Sequence, residues 1–278
     1  MKVGTCVILD QPEIMEKKLK MLHDNGIDNC QIDAWKLHLM TDEMANAVNG
    51  LMAKYGVTPT ALWCGWEGPH IWDFRSGPST LGLVPPAYRH VRTQNLCHGS
   101  DFAKKLGIGQ VVTHVGFIPE NPNDPELAGL CNAIKIVADH CKANGQLFLF
   151  ESGQETPVAM LRCFEMIDAD NLGVNLDTAN LILYGKANPV DALDVIGKYV
   201  RNVHAKDGTY PTNGMELGCE TKIGEGKVDF RAFITRLHEL GYDGYITIER
   251  EITGEQQAKD IIEAKDYLTS LINEIYGG

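Results

Sequence analysis

The fold this sequence predicts is α/β, one domain over residues 1–278 closed as a (β/α)8 TIM barrel. Three observations carry the prediction. Strand-like and helix-like segments alternate about eight times along the chain, glycine turns recur just before the strand-like segments, and an acid or a histidine closes four consecutive ones. Repeated strand–helix alternation builds a parallel sheet. Eight units in 278 residues, near the roughly 250 that such a barrel needs, favour closure over an open sheet.

Taken in order, the first strand is expected at Val3–Leu9. Glu13–Asn25 follows as an amphipathic helix, with Ile14, Leu19, Met21 and Leu22 set among charges. Later strands are expected at Asn29–Trp35, Thr58–Gly65, Gln110–Gly116, Gln146–Ser152, Leu172–Thr178, Val200–Lys206 and Gly244–Arg250. Each is short, apolar and bounded by turn residues, as a strand buried on both faces should be. Gly26, Gly56, Gly107, Gly145 and Gly241 read as helix C-terminal caps. Asp229–Leu240 places Phe230, Phe233, Ile234, Leu237 and Leu240 at helical spacing. Ile261–Tyr276 is the expected eighth outer helix; its apolar side can pack on the barrel alone or partly on a second subunit, which leaves a homo-oligomer open. Two long irregular stretches, Cys64–Pro86 and Asp207–Val228, stand out, and long loops in compact domains are commonly functional. A dinucleotide-binding sheet is the rival, but no GxGxxG turn follows the first strand.

Composition narrows the function classes. Hydrophobic residues make up 44% and charged residues 22%, ordinary for a globular chain. No run approaches the roughly 20 apolar residues of a membrane span, and the start lacks the apolar stretch and cleavage site of a signal peptide, so no membrane partner is expected. A net charge of -12 argues against nucleic acid, whose binders present a basic face. A small phosphorylated substrate stays open, since one or two lysines can hold a phosphate. The eight cysteines include no CxxC pair, and read as reduced core thiols of a cytoplasmic protein.

In a barrel of this kind the active site lies at the C-terminal ends of the strands. There the sequence places Glu151, Asp177, His204 and Glu249, with His114 on the fourth strand. Period-two alternation sets their direction. If Glu151 points inward so do Leu149 and Leu147, leaving Phe148 and Phe150 to the helices. Asn175 and Gly173 go inward with Asp177, and Thr247 and Tyr245 with Glu249, leaving Val174, Leu176, Ile246 and Ile248 outside. Three carboxylates buried together repel one another and lose hydration, and one divalent cation relieves both. Oxygen donors with one imidazole favour Mn, with Mg, Co, Fe or Zn also compatible.

At these residues the chain resembles the xylose-isomerase-like barrel superfamily. The resemblance is carried by FESGQETP with Glu151, GVNLDTAN with Asp177, VRNVHAKDG with His204, GYITIERE with Glu249, and IGEGKVDF. It covers nearly the whole chain and is strongest from about Val111 onward. In the ketose 3-epimerases of this superfamily four such residues ligate one metal and the two glutamates are the acid/base pair. The resemblance therefore implies Glu151 and Glu249 as catalytic bases, with Asp177 and His204 completing the ligand set. It implies a small carbohydrate substrate and proton abstraction alpha to a carbonyl through a metal-stabilised enediolate, giving epimerisation or isomerisation. Two departures bear on substrate: Asn180 stands where those epimerases have a histidine, and no arginine follows His204 in HAKDGTYP. Inosose dehydratases and keto-glycoside lyases resemble the same scaffold, so elimination is the second expectation. An apurinic-site endonuclease and a barrel that only binds sugar are lesser ones. The former would need further histidines, which Asn180 and the loop after His204 do not provide.

Around this set, His114 either hydrogen-bonds substrate or fills the barrel mouth. Lys206 touches substrate or is solvated. Asn180 touches substrate or caps the next segment. Trp63, Trp66 and Trp72 stack on sugar or pack in their loop. Asp207 orients His204 or caps a turn before Gly208, and Gln154 and Glu155 are candidate supports behind Glu151. Arg250 and Glu251 are expected to point away from Glu249, with Arg250 in a salt bridge at the barrel rim.

Overall fold

The structure, a computed structural model, describes residues 1–277. Eight parallel strands form a closed ring: β1 (Lys2–Ile8), β2 (Asn29–Ala34), β3 (Thr58–Cys64), β4 (Gln110–Thr113), β5 (Leu147–Glu151), β6 (Leu172–Asp177), β7 (Val200–Ala205) and β8 (Tyr245–Ile248). β1 closes the ring on β8, from Lys2↔Tyr245 to Thr5↔Ile248. This is a (β/α)8 barrel of the expected kind.

The alternation holds on every strand that matters for the site. Phe148, Phe150, Val174, Leu176, Val203, Ile246 and Ile248 are buried in the core between barrel and helices. Leu149, Val112 and Ala61 belong to a second, inner cluster with Trp63 and Trp66. Most strands end one or two residues short of their expected limits. β4 falls three short, because beyond Thr113 the chain turns its backbone to a loop: Val115 O accepts from the Leu83 amide at 2.9 Å.

The helices begin and end on local signals. Those at Pro12–Asp24, Pro86–Lys105, Pro125–Ala143, Pro157–Ile167 and Pro189–Ile196 all open on proline, whose missing N–H is unneeded in the first turn. Asp124, Thr156 and Asn188 also cap three of these through side-chain oxygens, and Thr41 and Asp229 cap two further helices in the same way. Each of the five expected cap glycines has positive φ. The last helix runs Glu255–Tyr276, starting six residues before its expected beginning. Among the described residues no helix is long and apolar enough to cross a membrane. All eight cysteines are free thiols, five of them buried.

Two loops rise over the C-terminal ends of the strands. The first, residues 65–85, is fastened from below by Arg92, a fully buried guanidinium that donates to the carbonyls of Glu67 (3.1 Å), Pro69 (2.8 Å) and Gly82 (2.7 Å). The second, residues 207–228, contains a two-residue antiparallel pair, Asp207–Gly208 against Glu220–Thr221. Asp207 organises it. Its carboxylate accepts from the backbone amides of Gly208 (2.8 Å), Gly224 (2.9 Å), Gly226 (2.9 Å) and Val228 (3.1 Å). A Cβ at Gly226 would overlap that carboxylate, so the loop needs glycine there. The expectation that Asp207 orients His204 is therefore corrected: its oxygens are committed to loop amides, and Asp207–Gly208 forms the short antiparallel pair in place of the turn that was the alternative.

Hydrogen bonds to a charged acceptor contribute more than neutral ones, and orphaned buried amides are costly. Asp207→Ala should destabilise the protein by on the order of 3 kcal/mol and expose residues 207–228 to proteolysis. Denaturant unfolding with limited proteolysis checks this, and an unaltered loop would remove Asp207's assigned role.

Candidate active site

β5, β6, β7 and β8 end level with one another, so their last inward residues meet. Asp177 is paired opposite His204, and Thr247 opposite His204 on its other side. Glu249 follows β8 directly, its amide bonded to Ala205 O at 3.0 Å. Donor atoms of Glu151, Asp177, His204 and Glu249 all lie within 4.8 Å of one another. His204 Nδ1 is the hub: 3.0 Å from Glu151 Oε1, 3.5 Å from Glu249 Oε2 and 3.8 Å from Asp177 Oδ2. Asp177 Oδ2 and Glu249 Oε2 are buried with no hydrogen-bond partner among the described residues. These two carboxyl oxygens, Glu249 Oε2 being also 3.3 Å from Lys206 Nζ, and one imidazole nitrogen are donors that a divalent cation uses, and the cluster can hold one.

The tautomer of His204 follows from its far side. Gln31, on β2, donates from Nε2 to Asp33 Oδ1 at 2.8 Å; a carboxylate only accepts, so this orients the amide. Gln31 Oε1 then faces His204 Nε2 at 3.0 Å and Asn202 Nδ2 at 3.4 Å. His204 therefore carries a proton on Nε2 and faces the carboxylates through Nδ1; burial acts to lower the imidazole, but Glu151 and Glu249 raise it well above its ordinary value, and a metal would take the place of the Nδ1 proton.

The electrostatics are those of anions held by cations. Burial acts to raise Glu249, but Lys206 and His204 outweigh it and hold its carboxyl well below the usual range. Burial likewise opposes ionisation of Glu151, and the neighbouring His114 and His204 overcome it, lowering that carboxyl. Asp177 goes the other way: burial, reinforced by Glu249 and Glu151, raises it despite Lys206. Asp33 is pushed up to about 7, chiefly by burial. Burial pulls His114 below its ordinary value, against the raising influence of Glu151 and Glu249.

A cavity of about 480 Å³ opens above the cluster. Of the four clustered residues, Glu151 and Glu249 line it, while Asp177 and His204 lie beneath. His114 lines it too, with Nδ1 donating to Glu151 O at 3.2 Å and Nε2 at 3.5 Å from Glu151 Oε2. Asn180 lines it and also opens a short helical turn, its amide donating to Asp177 Oδ1 at 2.6 Å. Trp63 lines it and donates its indole N–H to Glu151 Oε2. Gln154 lies on the cavity wall rather than behind it.

Four expectations need correction. Trp66 does not reach the cavity; with Arg92 pinning its loop, it packs behind Trp35 and Trp63 at ring separations of 5.7 and 5.8 Å. Lys206 is neither solvated nor on the cavity wall. Its buried Nζ stands 2.9 Å from Glu251 Oε1 and 3.3 Å from Glu249 Oε2, and donates to Asn180 Oδ1 at 3.3 Å. Glu251 is two residues past Glu249 and hence in the same phase, so it turns to Lys206 and the cavity instead of away. Glu155 supports nothing: both carboxylate oxygens are buried without a hydrogen bond among the described residues, and burial pushes its pKa up to about 8. Arg250 does form the expected rim salt bridges, to Glu220 (2.9 Å) and Asp260 (2.8 Å).

Sequence reasoning missed Gln31, Asp33 and Trp35. A signal was present: in NCQIDA, Gln31 and Asp33 alternate with Cys30 and Ile32, so two polar residues share the inward phase of a buried strand.

Residues 19–271 match the xylose isomerase-like TIM barrel family, and the chain belongs to that family. A crystal structure of a xylose isomerase domain protein from Planctomyces limnophilus superposes with a TM-score of 0.92 at 32% identity, covering 99% of each chain. An L-ribulose 3-epimerase shares the fold at a TM-score of 0.75 and 17% identity, over 99% of this chain and 96% of that one. The inosose dehydratase of Lacticaseibacillus casei is 25% identical over 174 residues, 54% of this chain and 56% of that enzyme, so the match spans about half of each.

Removing the partner that orients a metal-binding histidine typically costs 10–100-fold in affinity. Gln31→Leu should weaken Mn binding by about that factor in calorimetric titration; unchanged affinity would show that His204 does not depend on it. Glu155 gives a pH effect. Its folded pKa lies above its unfolded value, so the native state holds the extra proton and stability falls as pH rises from roughly 4.5 to 8. Glu155→Gln should abolish that fall and leave the variant more stable above pH 8 by on the order of a few kcal/mol, read from unfolding midpoints across pH.

Proposed function

We propose that the chain is a single-domain, divalent-metal-dependent isomerase or epimerase acting on a sugar by proton transfer at the carbon alpha to a carbonyl. One observation carries the reading: of the four clustered side chains, Glu151 and Glu249 alone line the cavity. They can therefore meet substrate, while Asp177 and His204 complete the set from below.

Glu151, Asp177, His204 and Glu249 would hold the ion, with Mn best suited to their donors, and when bound it would polarise the substrate carbonyl. The remaining chemistry belongs to the chain. Both glutamates are held anionic by cationic neighbours, so either can accept a proton. One removes the proton alpha to the carbonyl, and the other returns a proton to the opposite face, which inverts that carbon. Return by the first glutamate to the adjacent carbon exchanges aldose for ketose. Lys206 keeps Glu249 in place, the Trp63 indole, His114 and Asn180 Nδ2 keep Glu151 in place, and the Gln154 amide on the cavity wall is suited to substrate hydroxyls. Trp63 and its aromatic neighbours restrict water.

The match to inosose dehydratase favours a second reading on the same first step, in which proton removal is followed by loss of a hydroxyl. A screen of ketoses, inososes and keto-glycosides for solvent deuterium uptake separates the two, since elimination also yields an unsaturated product. General-base catalysis contributes roughly 10²–10⁴-fold. Glu151→Gln and Glu249→Gln should each reduce deuterium exchange by at least about 100-fold with folding intact. Exchange retained in both variants would end the two-base assignment.

A further inference from the structure

We infer that Asp33 is a substrate-binding residue that determines specificity: its carboxylate takes a hydroxyl of the sugar, on a part of the wall outside the four clustered residues. This rests on the sugar reading of the site above. Asp33 shares the inward phase of β2 with Gln31 and is set opposite Ile8 of β1 and Trp63 of β3. It is half-buried and lines the cavity of about 480 Å³. It also borders an adjoining recess of about 260 Å³, together with Trp35, Glu249 and Glu251. A ligand that reaches Glu249 therefore lies within walls to which Asp33 belongs.

Other charged and polar side chains of the wall are committed to partners. Glu251 stands 2.9 Å from Lys206 Nζ. Asn180 accepts from that ammonium through Oδ1 and donates to Glu151 through Nδ2. His114 is turned to Glu151 through both ring nitrogens. His70 Nδ1 is 3.3 Å from Gly68 O. Asp33 differs. Its Oδ1 accepts from Gln31 Nε2 at 2.8 Å, and no lysine or arginine forms an ion pair with it among the described residues. Its neighbour Cys6 offers only a thiol, a weak donor.

Such a carboxylate is hydrated while the cavity is open. An entering sugar displaces that water, and unless it presents a hydroxyl the carboxylate is left desolvated and unpaired. A hydroxyl there makes a charge-assisted hydrogen bond, and a site built on such a bond rejects the analogue that lacks the group. Through Gln31 the same carboxylate also supports His204. Asparagine preserves that support, since its Oδ1 still accepts from Gln31, but it turns an N–H donor toward the cavity in place of the acceptor.

Calorimetric titration of the Mn-loaded protein with D-fructose, D-tagatose, D-psicose and D-sorbose, each beside its singly deoxygenated forms, tests this at pH 8, above the value of about 7 to which burial raises Asp33. Asp33→Asn should bind the tightest of these ketoses at least about tenfold more weakly. Its Mn affinity should stay within about twofold of the unsubstituted protein's, because the acceptor for Gln31 is kept; that value also shows the variant to be folded. One deoxy form of the same ketose should lose about as much in the unsubstituted protein and nothing further in Asp33→Asn, because the hydroxyl and its acceptor act as a pair. A smaller loss in Asp33→Asn, Mn affinity falling along with it, no deoxy form whose loss disappears in the variant, or no saturable ketose binding would overturn the inference. The titration reads binding without turnover. A protein with the paired loss but no deuterium exchange keeps this inference and loses the proposed reaction; one that exchanges free ketoses without the paired loss does the reverse.

Discussion

Three carboxylates and one imidazole within 4.8 Å of one another, nearly all out of water, set the terms for this molecule. Such a cluster is unfavourable twice over, through mutual repulsion and lost hydration. The structure answers with cations and with rigidity. Lys206 sits between Glu249 and Glu251, its own tendency to neutralise on burial outweighed by those anions and Asp177. His204 sits among all three clustered carboxylates. The remaining imbalance lies at Asp177 Oδ2, which has no hydrogen-bond partner among the described residues and which a divalent cation would satisfy.

Rigidity comes from the ladder. β5 to β8 are parallel, with one register shift between Val174 and Asn175; the ladder sets Glu151 opposite Asn175 and Asp177 opposite His204, and none can shift alone without breaking main-chain bonds on both sides. The outward residues of the same strands, Phe148, Phe150, Val174, Leu176, Ile246 and Ile248, are clamped by the helices. A one-residue slip would reverse both sets, burying charge against the helices and leaving the apolar rows in the barrel. Packing on the outside thus determines geometry on the inside.

Loops do for the cavity what strands do for the cluster, and each has one buried charged residue at its root. Arg92 gathers three carbonyls of the loop that carries Trp66 and Trp72. Asp207 gathers four amides of the loop that closes the other side. Both charges are satisfied by backbone rather than by counter-ions, which converts a flexible segment into a shaped wall. Trp63 and His114 then hold Glu151 from that wall, linking its position to the aromatic cluster.

The sequence by itself determined the eight strands, the helix caps, the inward phase of Glu151, Asp177 and Glu249, and the convergence of those residues with His204. These depend on short-range periodicity and on the rule that barrel strand ends face one mouth, both readable along the chain. Asp207 and Lys206 were read as site residues but not in the places they occupy, since which partner a charged side chain meets depends on residues far away in sequence. Glu251 should have been legible from the same alternation that placed Glu249. The Gln31–Asp33 relay was also encoded in phase, but its meaning requires β2 to stand across the barrel from His204, 173 residues later. That Trp72 and not Trp66 faces the cavity was decided by tertiary structure alone, because in a loop without regular period only the anchoring contacts of Arg92 and the neighbouring rings set a side chain's direction.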